Sequence, residues 1–358
     1  MTTIMITAGG TGGHVFPALA VARALRQQGV AVVWLGTREG IEARVVPAAG
    51  FELETITIKS LRGGGLLRWL LLPMRLNLAM WQALRILRRR KPDAVLAMGG
   101  FASGPGSLMA SALSIPLLVH EQNARAGLTN RFLAPIADVL MAGFPDAFGT
   151  RKKVHAVGNP VRTEIAALPA PATRLAGRRG RLHLLVIGGS QGAKILNETV
   201  PAALRAMPAD MRPDVWHQTG ERDVASVTET YRAFMPEARA AAFIDDMAAA
   251  YAWADLVLCR AGAMTIAELA AAGAASILVP LPSAADDHQT ANARYLESHD
   301  AAILLPQAEL SVTRLAALLG ELSVDRARLQ RMASQARAAV IAKATENVAI
   351  FCREAAHA

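Results

Sequence analysis

Short, nearly continuous apolar runs alternate with longer alanine-rich stretches along this chain. Residues 4–8, 31–35, 94–98, 117–120 and 139–142 read as buried strands, and 182–187, 215–218, 256–259 and 276–280 repeat the theme. Runs apolar at every position, rather than at every second one, fit strands covered on both faces. Strands that alternate with helical stretches predict parallel sheets in an α/β protein.

One pattern occurs twice. Ile4-Met-Ile-Thr-Ala-Gly-Gly-Thr-Gly-Gly13 leads into a predicted helix at 17–28, stopped by Gly29. Leu184-Leu-Val-Ile-Gly-Gly-Ser-Gln-Gly192 leads into another that begins near Ala193. Each is a strand, a glycine loop and a helix, and Gly9 and Gly188 lie 179 residues apart. Two tandem Rossmann-like domains follow. The stretch 159–180, with Pro160, Pro169, Pro171 and Gly177-Arg-Arg-Gly-Arg181, is the expected linker, and the last ~30 residues read as helix without further strand signal.

Composition narrows the class. A chain of 358 residues that is 53% hydrophobic has enough apolar side chain for two cores. Two cysteines, Cys259 and Cys352, exclude a disulfide scaffold and leave a zinc site short of thiolates. The formal net charge is +9, and the stretch from Lys59 to Lys91 alone holds nine basic residues and no acid. A local basic patch predicts a local anionic partner. The first residues lack a secretory leader's basic and apolar regions, and no apolar run is long enough to span a bilayer, so a soluble cytoplasmic chain is expected.

The glycine loops suit phosphate: bare backbone approaches the ligand, and the following helix aims unpaired N–H groups at it. Taken alone, they also suit tight strand-to-helix turns. Gly10-Thr-Gly-Gly-His-Val15 fails the nicotinamide fingerprint at its third glycine, and the second strand ends without an acid for the adenosine ribose. Gly188-Gly-Ser-Gln-Gly-Ala-Lys194 lacks the Walker ending, and no Gly-x-Ser-x-Gly elbow supports a serine hydrolase. Gly99-Gly-Phe-Ala-Ser-Gly-Pro105 is a third glycine loop at a strand end.

Thr265 and Glu268 share a face near a helix start, where they form either a capping box or a site for diphosphate and ribose diol. His288, Gln289 and Asn292 offer donors and acceptors for a sugar or form an ordinary polar loop. His14, beside the first glycine loop, is either a solvated residue or a general base. His120-Glu-Gln-Asn123 clusters polar groups at another strand end. Leu66, Trp69, Leu70, Leu71, Arg75 and Trp81 compose either a bilayer-interface segment or a buried helix whose basic end, 88–91, complements the helix dipole. Nucleic acid ranks last for this stretch because it lacks interleaved stacking aromatics.

Together these motifs resemble the bacterial peptidoglycan GlcNAc transferases of glycosyltransferase family 28, which convert lipid I to lipid II. The matching pieces are Gly9-Gly-Thr-Gly-Gly-His-Val-Phe-Pro-Ala18, Gly99–Pro105, His120–Asn123, Gly158-Asn-Pro-Val-Arg162, Gly188–Ala193, Phe243-Ile-Asp-Asp-Met247, Arg260-Ala-Gly-Ala-Met-Thr-Ile-Ala-Glu268 and Asp287-His-Gln289. They span nearly the whole chain in the family's order. The family often has two glutamines where this chain has His288-Gln289.

The resemblance implies a GT-B fold, with two Rossmann-like domains whose parallel sheets face each other across a cleft. Residues 1–163 would form the acceptor and membrane side, 164–340 the donor side, and 341–358 a helix returning to the first domain. The implied reaction is inverting transfer of GlcNAc from UDP-GlcNAc to the 4-hydroxyl of undecaprenyl-diphospho-MurNAc-pentapeptide, with a β-1,4 bond and UDP as products. No cofactor or metal is implied.

In the family pattern uracil meets the backbone of Ile244 and the ribose diol meets Glu268. The diphosphate meets Ser190 and the amides of Ala263, Met264 and Thr265, followed by Ile266 and Ala267. Asn123 and Arg162 face the nucleotide sugar, Gln289 faces the GlcNAc hydroxyls, and Thr11, Gly12 and Gly13 meet the donor from the acceptor side. His14 is the implied catalytic base.

The implied partners are lipid I, the anionic inner-leaflet surface and cell-wall synthesis proteins, and the implied place is the cytoplasmic face of the bacterial inner membrane, bound peripherally. Rival readings are another GT-B enzyme such as a UDP-GlcNAc 2-epimerase, a nucleotide-sugar sensor without turnover, and an NAD oxidoreductase.

Overall fold

The computed structural model describes residues 1–58, 72–151, 153–189, 192–282 and 287–357. Two compact units emerge: Met1–Val161 together with Ile341–Ala358, and Arg162–Val340.

The first unit is built on a seven-stranded parallel sheet. Its strands are β1 (Thr3–Thr7), β2 (Ala31–Thr37), β3 (Glu52–Ile56), β4 (Ala94–Ala97), β5 (Leu117–Glu121), β6 (Val139–Ala142) and β7 (Val154–Ala156), in the order β3-β2-β1-β4-β5-β6-β7. Ile4 and Ile6 point to one face, with Leu19, Ala22 and Leu25 of the helix Gly12–Gln27. Met5 points to the other, with Ala83, Ile86 and Leu87 of the helix Leu72–Arg90. This is why the central strands read as unbroken apolar runs. The helix Ala344–Ala356 belongs to this unit and buries Val348, Ala349 and Cys352 in the first of these cores.

The second unit repeats the plan with six parallel strands: β8 (His183–Ile187), β9 (Asp214–Gln218), β10 (Arg239–Ala241), β11 (Leu256–Cys259), β12 (Ser276–Leu278) and β13 (Ala302–Leu304), ordered β10-β9-β8-β11-β12-β13. Both sheets thus have the Rossmann order, and a glycine loop follows the first strand of each.

Several local expectations need correction. The four strands absent from the sequence reading, β3, β7, β10 and β13, are the edges of the two sheets. Their residues are mostly half-buried or exposed, so they carry no continuous apolar run. The first helix begins at Gly12 and not near residue 17; Pro17 lies inside it. The basic run is also partly neutralised. Arg89 pairs with Glu54 at 2.7 Å, and Arg90 pairs with Glu52 at 2.8 Å and Glu54 at 2.6 Å. Those acids lie on β3, just before the run begins but about 35 residues from the arginines they pair with.

Candidate functional site

In the second unit a cavity of about 670 Å³ opens at the ends of β8, β11 and β12. Gly188, Gly189 and Gly192 line one side, Gly262 and Thr265 another, and Leu281, Gln289 and Gln307 a third. Gly192 has φ +74°, and a Cβ there would collide with Thr219 O, so only glycine fits. Ser190 lies outside the described residues.

The helix Ala263–Ala272 starts at this cavity. Its N-cap is Gly262, with no side-chain cap. Thr265 is therefore inside the first turn, and the capping box does not form. The amides of Ala263, Met264 and Thr265 precede the first intrahelical bond, from Ile266 N to Gly262 O at 2.9 Å. Open amides at the positive end of a helix suit an anion. Ile266 is buried in the same turn, with Ala267 beside it.

One turn on, Glu268 sits among three elements. Arg162, just before the short helix Thr163–Ala166, donates from Nη2 to Glu268 Oε1 at 3.1 Å. Tyr251, from the helix Met247–Trp253, donates its hydroxyl to Oε2 at 3.2 Å. Both short helices pack on Ala263–Ala272. Burial pushes the Glu268 carboxyl up, and Arg162 and Tyr251 pull it back. Burial raises the Tyr251 phenol well above its ordinary value, so it remains a donor. Nearby Cys259 is buried and pushed up to about 12, which suits packing and not nucleophilic chemistry.

Gln289 shows which end of its amide is committed. Its Oε1 accepts from Ala261 N at 3.3 Å and Leu281 N at 3.0 Å. Backbone N–H groups can only donate, so Nε2 is the end left for an acceptor such as a sugar oxygen. Gln307 was not foreseen. It lies just past the edge strand β13, and its buried Oε1 has no hydrogen-bond partner among the described residues. Ile244 is buried before the Met247–Trp253 helix and is not part of the cavity wall.

The remaining candidates lie in the first unit. Thr11 caps the helix Gly12–Gln27 through its backbone, accepting from His14 N at 3.1 Å and Val15 N at 3.2 Å. Glu42 holds the glycine loop before it. The Glu42 carboxylate is buried, accepting from Thr37 N at 3.0 Å, Thr37 Oγ1 at 2.6 Å and Gly10 N at 3.1 Å. A Cβ on Gly9, Gly36 or Gly40 would strike its side chain. Nothing in the local sequence marks Glu42 for this.

His14 is half-buried, with Nδ1 3.0 Å from Gln122 Oε1. A Cβ on Gly99 would lie 2.8 Å from that nitrogen, so the third glycine loop makes room for the imidazole. Asn123 donates from N and Nδ2 to Glu121 Oε1 at 2.9 and 3.0 Å.

Of the proposed membrane residues, Leu66, Trp69, Leu70 and Leu71 lie outside the described residues. Arg75 and Trp81 lie on Leu72–Arg90, where Met74, Leu78 and Trp81 are exposed and Arg85 stacks 4.9 Å from the Trp81 ring. No helix among the described residues is long and apolar enough to cross a membrane.

The glycosyltransferase family 28 N-terminal domain matches residues 4–141 and the family's C-terminal domain matches residues 183–348. The chain belongs to glycosyltransferase family 28. Within family 28, relatives from Alkalilimnicola ehrlichii and Nitrosococcus oceani are 56% and 55% identical over 99% of this chain, covering 99% and 98% of their own lengths. Both carry the name UDP-N-acetylglucosamine–N-acetylmuramyl-(pentapeptide) pyrophosphoryl-undecaprenol N-acetylglucosamine transferase. The crystal structure of MurG from Acinetobacter baumannii is 39% identical with a TM-score of 0.86, covering 99% of this chain and all of that one. Family 28 membership sets aside the oxidoreductase alternative.

Proposed function

We propose that this family 28 chain transfers GlcNAc from UDP-GlcNAc to the 4-hydroxyl of undecaprenyl-diphospho-MurNAc-pentapeptide, making lipid II and UDP. The observation that carries this is the similarity, at 55–56% identity and nearly full length, to relatives named for that transfer.

The second unit takes the donor. The diphosphate sits against the open amides of Ala263, Met264 and Thr265 and the glycine loop that contains Ser190. Glu268 accepts from the ribose diol, Ile244 offers backbone to uracil, and Gln289 gives Nε2 to the sugar. Arg162 turns to the diphosphate, and the amides and guanidinium offset the charge that develops as UDP departs. The acceptor hydroxyl attacks the anomeric carbon from the face opposite UDP. The C1–O bond to UDP breaks as the new C1–O bond forms, so the α-linked donor gives a β product. His14 takes the hydroxyl proton, Thr11, Gly12 and Gly13 meet the donor from the acceptor side, and Asn123 faces the nucleotide sugar.

The exposed Met74, Leu78 and Trp81, with Arg75 and Arg85 on the same helix, fit a peripheral contact with an anionic leaflet on the cytoplasmic side of the inner membrane.

Purified protein, UDP-GlcNAc and a soluble lipid I analogue should release UDP and yield a β-1,4-linked disaccharide. Release of UDP without the analogue, or none with it, would reject the proposed transfer.

A further inference from the structure

His14 stands at the end of a hydrogen-bond chain that starts at a carbonyl oxygen. His120 Nε2 lies 2.9 Å from Gly158 O. A carbonyl has no proton to give, so His120 Nε2 carries one. The His120 ring is fully buried, and burial lowers its basicity despite the opposing pull of Gly158 O and Glu121, so it is neutral. Its Nδ1 therefore bears a lone pair.

Gln122 Nε2 lies 3.2 Å from that Nδ1 and donates to it. The other end of the same amide, Oε1, lies 3.0 Å from His14 Nδ1 and can only accept. His14 Nδ1 must then be the protonated nitrogen, and in the neutral ring Nε2 holds the lone pair.

The surroundings hold this chain in place. Asn159 Nδ2 donates to Gln122 O at 2.9 Å, and Asn130 Nδ2 to His120 O at 3.2 Å. Glu121, the nearest carboxylate in sequence, is buried and occupied by Asn123, Gly127 and Asn130 as donors, so it does not compete for the chain.

We propose that Gln122 and His120 are positioning residues that lock His14 in its Nδ1–H tautomer, presenting Nε2 as the nitrogen that receives the acceptor's proton. A solvated histidine favours the opposite tautomer, with Nε2 already protonated and unable to serve. The partner at one ring nitrogen decides the state of the other. This deepens the assignment of His14 as base and rests on it.

The test is nitrogen-15 NMR of the histidine rings in the full chain, which has eight histidines. The His14 signals are assigned by their loss in His14→Gln. With the ring neutral, the expected spectrum has a pyrrole-like Nδ1 and a pyridine-like Nε2. Gln122→Met should move His14 toward the Nε2–H form and lower turnover by about 10²-fold or more, the scale of a lost general base, with the KM for UDP-GlcNAc nearly unchanged. Gln122→Glu keeps an oxygen for the His14 Nδ1–H, so it should retain the tautomer and recover much of the turnover. A wild-type Nε2–H tautomer, or no tautomer change in Gln122→Met, overturns the relay whatever the turnover. A switched tautomer with undiminished turnover overturns His14 as base and leaves the tautomer control standing. The wild-type His14 ring can also be assigned without substitution, by through-bond correlation to its own backbone, so a misfolded variant does not prevent the decision.

Discussion

Arg162 closes over Glu268, its Nη2 donating to Oε1 at 3.1 Å while Tyr251 holds the other oxygen from within the core. The arginine side chain is 48% exposed and the glutamate 14%. Of the two donors on the carboxylate, Arg162 is thus the one able to leave cheaply. In the proposed reaction a ribose diol takes its place, which frees the guanidinium for the diphosphate.

That exchange makes donor binding depend on pH. Burial, the largest influence on Glu268, raises its carboxyl above the ordinary value. A diol donates hydrogen bonds, so it binds the ionised form. Affinity for UDP-GlcNAc should therefore strengthen as pH rises through the raised Glu268 value and then level off. UDP-GlcNAc is the right probe because its diphosphate is esterified at both ends and does not titrate near neutrality. Calorimetry between about pH 5 and pH 8 should show this slope in the wild type and not in Glu268→Gln. Equal slopes would remove Glu268 from ribose recognition.

Glu42→Ala should cost about 2–4 kcal/mol in denaturant unfolding, because it strands the buried N–H of Thr37 and removes the partner of the part-buried Gly10 N–H. Turnover should fall further than stability alone explains, since Gly10 belongs to the loop before His14. UDP affinity, which the proposed reaction assigns to the other unit, should be unchanged; a matching loss of UDP binding would contradict this division of labour.

Gly100 and Gly149 separate backbone strain from collision. Both have positive φ, +84° and +64°. A Cβ at Gly100 would strike Gly9 O, whereas one at Gly149 meets nothing within 4 Å. Gly149→Ala should cost only the left-handed backbone penalty, about 1 kcal/mol. Gly100→Ala should cost clearly more and impair turnover through the first glycine loop. Similar unfolding midpoints for the two variants would argue against this loop contact.

For the membrane reading, the ion pairs discriminate among the arginines. Arg89 and Arg90 are engaged by Glu52 and Glu54, while Arg75 and Arg85 have no ion pair among the described residues. Sedimentation with anionic vesicles should weaken more in Arg75→Ala and Arg85→Ala, at about 1 kcal/mol each, than in Arg89→Ala. Added salt should weaken binding throughout, and Trp81→Ser should weaken it at every salt concentration. Binding indifferent to all of these changes would leave the exposed helix without a lipid role.

Much of the fold was legible before any coordinates. Strands buried on both faces are apolar at most positions, so β1, β4, β5, β8 and β11 announced themselves, and the repeated strand–glycine–helix pattern disclosed two Rossmann sheets. The edge strands β3, β7, β10 and β13 did not, because a half-exposed edge places no such demand on its residues. The candidate site divides in the same way. Glycine loops, Glu268 and Gln289 sit in motifs whose residue types carry their chemistry, whereas Tyr251, Glu42 and Gln307 gain their places only from chain brought together in three dimensions. His120-Glu-Gln-Asn123 shows the boundary most clearly. Its composition promised hydrogen bonds, but which proton sits on which nitrogen depends on Gly158 O, thirty-eight residues away. Local sequence determines what each side chain can donate or accept; only tertiary contact decides which partner it meets, and so which end of the His14 ring is left open.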